Sequence, residues 1–185
     1  MGKEESRDIM PLQANLQKKR GPGVSKVIIR PICVSDDAKI AEIIRKNLEA
    51  FHLNIPGTAY FDPELACLSK FYKAAPEKRA YFVAECGNKT VAGGAGIAEF
   101  AGFDHCAELQ KLYLSDAAKG KGLGKQLMQT AEEFARAAGY RLLYLETHTN
   151  LKAAICLYEK LGFRQIEKPA GVFHETMNRF YIKQL

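Results

Sequence analysis

The densest chemical signal in the chain is Lys119-Gly120-Lys121-Gly122-Leu123-Gly124. Glycines let backbone N–H groups approach a ligand closely. An amphipathic helical pattern starts at the end of this stretch, with Leu123, Leu127, Met128, Ala131, Phe134, Ala135 and Ala138 on one face. The N-terminus of such a helix presents unpaired N–H groups and positive potential, and Lys119, Lys121 and Lys125 add charge. Together they form a cradle for an anion, phosphate above all. Spacing sorts the phosphate motifs. A P-loop ending at Gly124-Lys125 needs a glycine where Lys119 stands and a hydroxyl where Gln126 stands. The dinucleotide fingerprint meets Lys125 or Leu127 at its third glycine, yet Glu146 falls near the place of its ribose-binding acid, so a dinucleotide-binding protein stays an alternative. A third pattern (Gln or Arg, two residues, Gly, one residue, Gly or Ala) runs from Lys119 to Gly124 with lysine in first place. The five cysteines (Cys33, Cys67, Cys86, Cys106 and Cys156) have neither C-x-x-C nor paired Cys/His spacing. Their odd number and burial-prone surroundings argue for reduced thiols in a cytoplasmic protein, with no metal site.

The glycine stretch does not stand alone. Glu108-Leu-Gln-Lys-Leu-Tyr-Leu-Ser115 precedes it, and Asn150 and Ala153-Ala-Ile-Cys-Leu-Tyr-Glu-Lys-Leu-Gly-Phe163 follow. In that order and spacing the chain resembles the GNAT family of N-acetyltransferases, over residues 26–185 and most sharply over 106–163. One departure is Lys119, where the family has Arg or Gln; lysine supplies charge but no planar fork. The resemblance implies acetyl-CoA as co-substrate. Its phosphates would lie on Lys119, Gly120, Lys121, Gly122, Leu123, Gly124 and Lys125, and its pantetheine arm along Leu112, Tyr113 and Leu114, with Asn150 and Ala153 also in contact. Two strands would splay apart there, freeing an N–H near Leu112 or Leu114 for the oxyanion of a tetrahedral intermediate. Glu108 would be the general base and Tyr158 the acid at the sulfur. Alternation puts Glu108 on one face with Gln110, Leu112 and Leu114. The same residues have plainer readings: Glu108 as a solvated strand-end acid, Tyr158 as a core tyrosine, Asn150 as a helix cap. Glu85, His105 and His148 are alternative bases, and His174 is expected on a strand near the acceptor cleft. The implied reaction is direct acetyl transfer to a primary amine, on a small molecule or a peptide. A non-catalytic acetyl-CoA-binding sensor or partner module is the alternative. The acceptor cleft would be lined by residues 53–61 and 168–173.

These residues need a scaffold. Strand patterns at 26–31, 81–86, 90–100, 106–114, 140–146, 163–167 and 174–183 alternate with helical patterns after Asp36, after Asp62-Pro63, after Leu123 and from Leu151 to Leu161. Gly93, Gly94 and Gly96 weaken the third strand unless something approaches it closely. The order is β-α-α-β-β-β-α-β-α-β-β, an α/β mixed sheet with helices on both faces, and the acyl-CoA N-acyltransferase fold of the resembled family has that order. Residues 1–25 read as a flexible polar tail and 26–185 as one domain. No apolar run is long enough for a membrane span, and no charged-then-apolar N-terminus suggests a secretion signal. The net charge of +6 is accounted for by a polyanionic cofactor without nucleic acid. The oligomeric state, monomer or homodimer, stays open.

Overall fold

The computed structural model describes residues 27–172 and 174–185, apart from the side chain of Asn88. The tail expected at residues 1–25 lies outside them. The chain runs β1 (Ile28–Pro31), α1 (Asp37–Ala50), α2 (Leu68–Lys73), β2 (Ala80–Cys86), β3 (Thr90–Glu99), β4 (Cys106–Leu114), α3 (Leu123–Ala137), β5 (Leu142–Thr147), α4 (Lys152–Lys160), β6 (Arg164–Ile166) and β7 (Arg179–Gln184). That is the order read from the sequence. The strands form one sheet in the order β1-β2-β3-β4-β5-β7-β6. Only β4 and β5 pair in parallel; the other neighbours are antiparallel.

Two layers of apolar side chains sandwich the sheet. On one face Leu123, Leu127, Met128, Ala131 and Ala135 of α3 pack on Ala95, Ile97, Ala107, Leu109, Leu143 and Leu145, joined by Tyr158 of α4. On the other, Ile40, Ala41, Ile44 and Leu48 of α1 and Leu65, Leu68 and Tyr72 pack on Tyr81, Val83 and Ala98. The helical and two-residue periodicities thus deliver the faces they predict.

Three local features depart from the sequence reading. First, Pro63 opens a five-residue 3-10 turn, Pro63–Cys67, and α2 begins only at Leu68. Asp62 precedes that turn, but its carboxylate makes no cap hydrogen bond; Lys111 and His174 hold it instead. Second, β7 starts at Arg179, so His174 sits in a loop, its ring fixed between two carboxylates. Third, β4 carries a bulge: Gly96 faces Gln110 and Gly94 faces Tyr113, so β4 has one extra residue, and Lys111 takes φ 52°. The extra residue reverses the alternation. Leu112 and Leu114 pack on the α3 face, while Tyr113 packs with the α1 and α2 side chains. Glu108 therefore shares its face with Gln110 and Tyr113, not with Leu112 and Leu114.

The β3 glycines are explained by the same region. A Cβ on Gly94 would lie 2.3 Å from the Tyr81 ring, and one on Gly96 would lie 2.2 Å from the Tyr72 hydroxyl. Those bare positions let both rings cross β3 and reach β4. Tyr81 Oη donates to the Lys111 carbonyl at 3.0 Å, and Tyr72 Oη donates to Gln110 Oε1 at 2.9 Å. Close approach here is by side chains, and it braces the bulge.

Candidate active site

β4 and β5 pair only at Cys106–Leu142, Ala107–Leu143 and Glu108–Tyr144. Beyond them β5 follows β7 as far as Thr147, and β4 follows β3 to Leu114. The strands part, leaving a wedge whose β4 wall has no strand partner. The Ser115 N–H donates to Ala92 on β3. By alternation Leu114 turns its backbone the other way, and its carbonyl accepts from Asn47 Nδ2 of α1 at 2.9 Å. Leu112 points its backbone the same way as Leu114, into the wedge.

At the wide end of the wedge the glycine stretch enters α3. Gly120 and Gly122 have φ 74° and 76°, and nothing lies within 4 Å of a Cβ built on either. They are needed for backbone conformation rather than for packing. Gly124 serves differently: its Cβ would lie 3.2 Å from Leu157 and 3.8 Å from Leu114, so α3, α4 and the end of β4 meet there. The N-cap of α3 is Gly122, with no side-chain cap, which leaves the first-turn N–H groups of Leu123, Gly124 and Lys125 facing outward for an anion. Lys121 and Lys125 are exposed beside them. Lys119 Nζ pairs with Asp116 at 2.7 Å.

Glu108 stands where pairing ends. Its Oε2 accepts from Gln110 Nε2 at 2.7 Å, completing a relay from Tyr72 through Gln110. Burial, then the neighbouring Glu146 carboxylate, push its pKa up to about 7. The side chain is half-buried and hydrogen-bonded within the strand rather than free in solvent. Tyr158 is buried on the α3 face, its ring 6.0 Å from Phe163 and 6.4 Å from Tyr181. Burial raises its pKa well above the ordinary phenol value, so it stays protonated at neutral pH. Tyr113 is raised too, first by burial and then by Tyr158, which places the two phenols near each other. Glu108 lies on the α1 and α2 face at the closed end of the wedge, Leu112–Leu114 along its β4 wall, the glycine stretch at its wide end, and Tyr158 on the α3 face.

Other expectations change. Asn150 does not cap α4, whose N-cap is Leu151; its Nδ2 donates to the Phe51 carbonyl at 3.0 Å and ties the β5–α4 turn to α1. Ala153 is exposed in the first turn of α4. The alternative bases are occupied or remote. Glu85 pairs with Arg30 at 2.8 Å, His148 Nδ1 accepts from the Asn150 N–H, and His105 is exposed in the β3–β4 turn. Cys106 is buried, but Cys67 and Cys156 are exposed, contrary to the expected burial; all five thiols are free.

A buried ionic chain also borders the wedge, and periodicity did not reveal it. Lys111 Nζ lies 2.6 Å from Asp62 Oδ2 and 3.0 Å from Glu64 Oε1. His174 donates from Nε2 to Asp62 Oδ1 at 2.9 Å and from Nδ1 to Glu146 Oε1 at 2.5 Å. Burial lowers the His174 pKa, but the bonds to Asp62 and Glu146 outweigh it and hold it at about 10, so the ring is an imidazolium at neutral pH. Beside it opens a cavity of about 390 Å³, lined by Pro56, Gly57, Phe61, Asp62, His174 and Glu175 among others. It adjoins the expected acceptor loop.

A profile of the acetyltransferase (GNAT) family matches residues 42–163. The chain belongs to that family. The uncharacterized N-acetyltransferase YjgM of Escherichia coli (strain K12) is 39% identical over 146 residues, 78% of this chain and 86% of that protein. A GNAT-family acetyltransferase from Staphylococcus aureus MU50 superposes with a TM-score of 0.77 at 19% identity, over 86% of this chain and 99% of that one, a likeness of fold. A phosphinothricin acetyltransferase from Sinorhizobium meliloti, solved in complex with AcCoA, is 26% identical with a TM-score of 0.68, over 86% and 88% of the two chains. The protein is thus an N-acetyltransferase of the GNAT family. The dinucleotide alternative loses its frame, because that fingerprint serves a mostly parallel doubly wound sheet and this sheet has one parallel pair. Among the described residues of this acetyltransferase, no helix is long and apolar enough to cross a membrane.

Proposed function

We propose that this acetyltransferase moves the acetyl group of acetyl-CoA directly to the primary amine of a cationic acceptor, with Glu108 as base and Tyr158 as acid. The coenzyme's phosphates lie on the N–H groups of Lys119 to Gly124 and the first turn of α3, near Lys121, Lys125, Asn150 and Ala153. Its pantetheine arm runs along the unpaired edge of Leu112, Tyr113 and Leu114. The acceptor arrives as an ammonium and gives one proton to Glu108, because only the free amine has a lone pair. The amine nitrogen then bonds to the acetyl carbon while a β4 N–H holds the oxyanion. The tetrahedral intermediate collapses as the C–S bond breaks, and the thiolate takes a proton from the Tyr158 hydroxyl. The surplus proton on the attacking nitrogen passes to the resulting phenolate, so that a neutral amide and a free thiol leave while Glu108 returns its proton to solvent.

The observation that carries this reading is Glu108: a carboxyl at the point where the strands part, hydrogen-bonded through Gln110 to Tyr72, with its pKa brought to about 7. A base works best when its pKa lies near the working pH. Buried Tyr158 holds its proton until a thiolate forms beside it.

The acceptor class follows from charge. Asp62, Glu64, Glu108 and Glu146 face two cations, Lys111 and His174, and Glu175 stands on the rim of the adjoining cavity. The balance favours an ammonium and disfavours an acceptor bearing its own carboxylate beside the amine. Exposed Phe61, with Pro56 and Pro63, offers an apolar surface for the acceptor's body. Thiol release from acetyl-CoA, scored across amines with and without a neighbouring carboxylate, tests the proposal. Faster turnover of α-amino acids than of their decarboxylated amines overturns the charge argument. Tight acetyl-CoA binding with no release across the whole panel points instead to the non-catalytic sensor.

A further inference from the structure

His174 takes no part in the steps above, yet its ring is bonded to a carboxylate at each nitrogen beside the wedge. It joins the loop before α2, through Asp62, to β5, through Glu146. Asp62 in turn pairs with Lys111 at the β4 bulge. Lys111, Asp62, His174 and Glu146 therefore form an unbroken chain of ion pairs from one diverging strand to the other. It runs on the face that carries Glu108 and Gln110. The Lys111 and Asp62 side chains are each 4% exposed, so this chain is part of the interior, not a surface decoration.

We propose that His174 is a positioning residue: held between Asp62 and Glu146, it is a strut that fixes the acceptor wall across the open wedge and keeps the Glu146 charge from acting unopposed on Glu108. The proposal rests on the reading of Glu108 as the base. Residues 56–63 and 174–176 form the cavity wall, and His174 is where the two segments are bonded through side chains, with a second tie from Thr176 Oγ1 to the Pro56 carbonyl. Glu108 meets Gln110, Lys111 and Cys106 on its own strand and Tyr144 and Glu146 on β5. From the other elements it meets Tyr72 on α2 and His174. Glu146 raises its pKa, and His174 and Lys111 lower it. Removing the charge at 174 therefore leaves the raising carboxylate without its nearest counter-charge.

The test uses the full chain carrying His174→Gln, whose amide still hydrogen-bonds but has no charge. Two readouts are taken: the pH profile of kcat/KM with the best amine of the panel, and backbone hydrogen exchange. The acid limb is expected to move up by about one pH unit, which is what loss of one cation a few ångströms away is worth in a partly buried site. Exchange is expected to rise about tenfold or more in both 57–63 and 174–178, as for segments released to open locally, while the KM for acetyl-CoA stays within about twofold of the parent value. Adding Glu146→Gln removes the source of the shift, so the double variant returns the limb towards its original position while exchange stays raised. A residue that merely fills space gives lower turnover with the limb unmoved. Glu108→Gln separates the two ideas. If it leaves the acid limb in place, Glu108 is not the base, and exchange alone decides the strut. If it abolishes the limb, an unmoved limb in His174→Gln overturns the proposal. Unchanged exchange in either segment overturns it in every case.

Discussion

Glu108→Gln should make the protein more stable as it makes the enzyme worse. The carboxyl is carried from its ordinary 4.5 to about 7, first by burial and then by Glu146. A rise of that size corresponds to roughly 3 kcal/mol of preference for the protonated form. The sign follows from which state binds the proton. Folded Glu108 holds its proton to about pH 7, while the unfolded chain releases it near 4.5. Between those values folding takes up a proton, and stability falls as pH rises; above about 7 the whole penalty is present. Glutamine has the same shape, no charge, and an oxygen that still accepts from Gln110 Nε2. With some relaxation of the site, we expect Glu108→Gln to gain about 1–3 kcal/mol at pH 8 and to lose most of that gain by pH 5. Urea denaturation at the two pH values measures it, and thermal midpoints should rise by roughly 2–4 °C per kcal/mol for a chain of this size. Turnover should fall about 10²- to 10⁴-fold. Equal stability of variant and parent at pH 8, or a gain as large at pH 5 as at pH 8, would refute the assignment of Glu108 as a half-buried carboxyl with a raised pKa.

Other consequences are as direct. Tyr158→Phe should lower kcat about 10²-fold with little change in thermal midpoint, since the ring packing against Phe163 and Tyr181 is kept; a kcat within twofold of the parent removes the acid role. Lys111→Met leaves Asp62 and Glu64 without their shared ammonium, and should destabilise the fold by about 3 kcal/mol in urea titrations at neutral pH. Gly122→Ala places a side chain in open space but at φ 76°, so it should lower stability by only about 1–2 kcal/mol while raising the KM for acetyl-CoA about tenfold. An unchanged KM would move the phosphates away from this loop.

The parts legible in the sequence are those that obey a local rule. Period-3.6 patterns gave α1 and α3, alternation gave the strands, and three glycines before an apolar helix pointed to the cradle. What stayed hidden was whatever broke the local rule. Lys111 reads as an ordinary member of an alternating strand, and nothing nearby in the sequence shows that it will be an extra residue with a positive φ. Its partners are remote, at Asp62 and Glu64. Asp62 before Pro63 reads as a helix cap, because that role is the commonest one for the pair, yet tertiary ion pairs claim its carboxylate. The one available clue was the spacing of Gly93, Gly94 and Gly96, which signals that something bulky crosses the third strand.

These exceptions belong together. A lysine in the left-handed region is strained by roughly 1–3 kcal/mol and survives only where its surroundings over-determine it. Here they do: Tyr81 bonds the Lys111 carbonyl, Asp62 and Glu64 hold its ammonium, and glycines clear the path for the tyrosine that reaches it. Without the bulge, alternation would continue unbroken, and Leu112 and Leu114 would turn towards the face of Glu108. With it, Glu108, Gln110 and Tyr113 occupy one face of the wedge, and the leucines close the core beneath the glycine stretch on the other. The strain at Lys111 is thus the local condition for placing the proposed base and the proposed coenzyme-binding strand edge within one short stretch of chain.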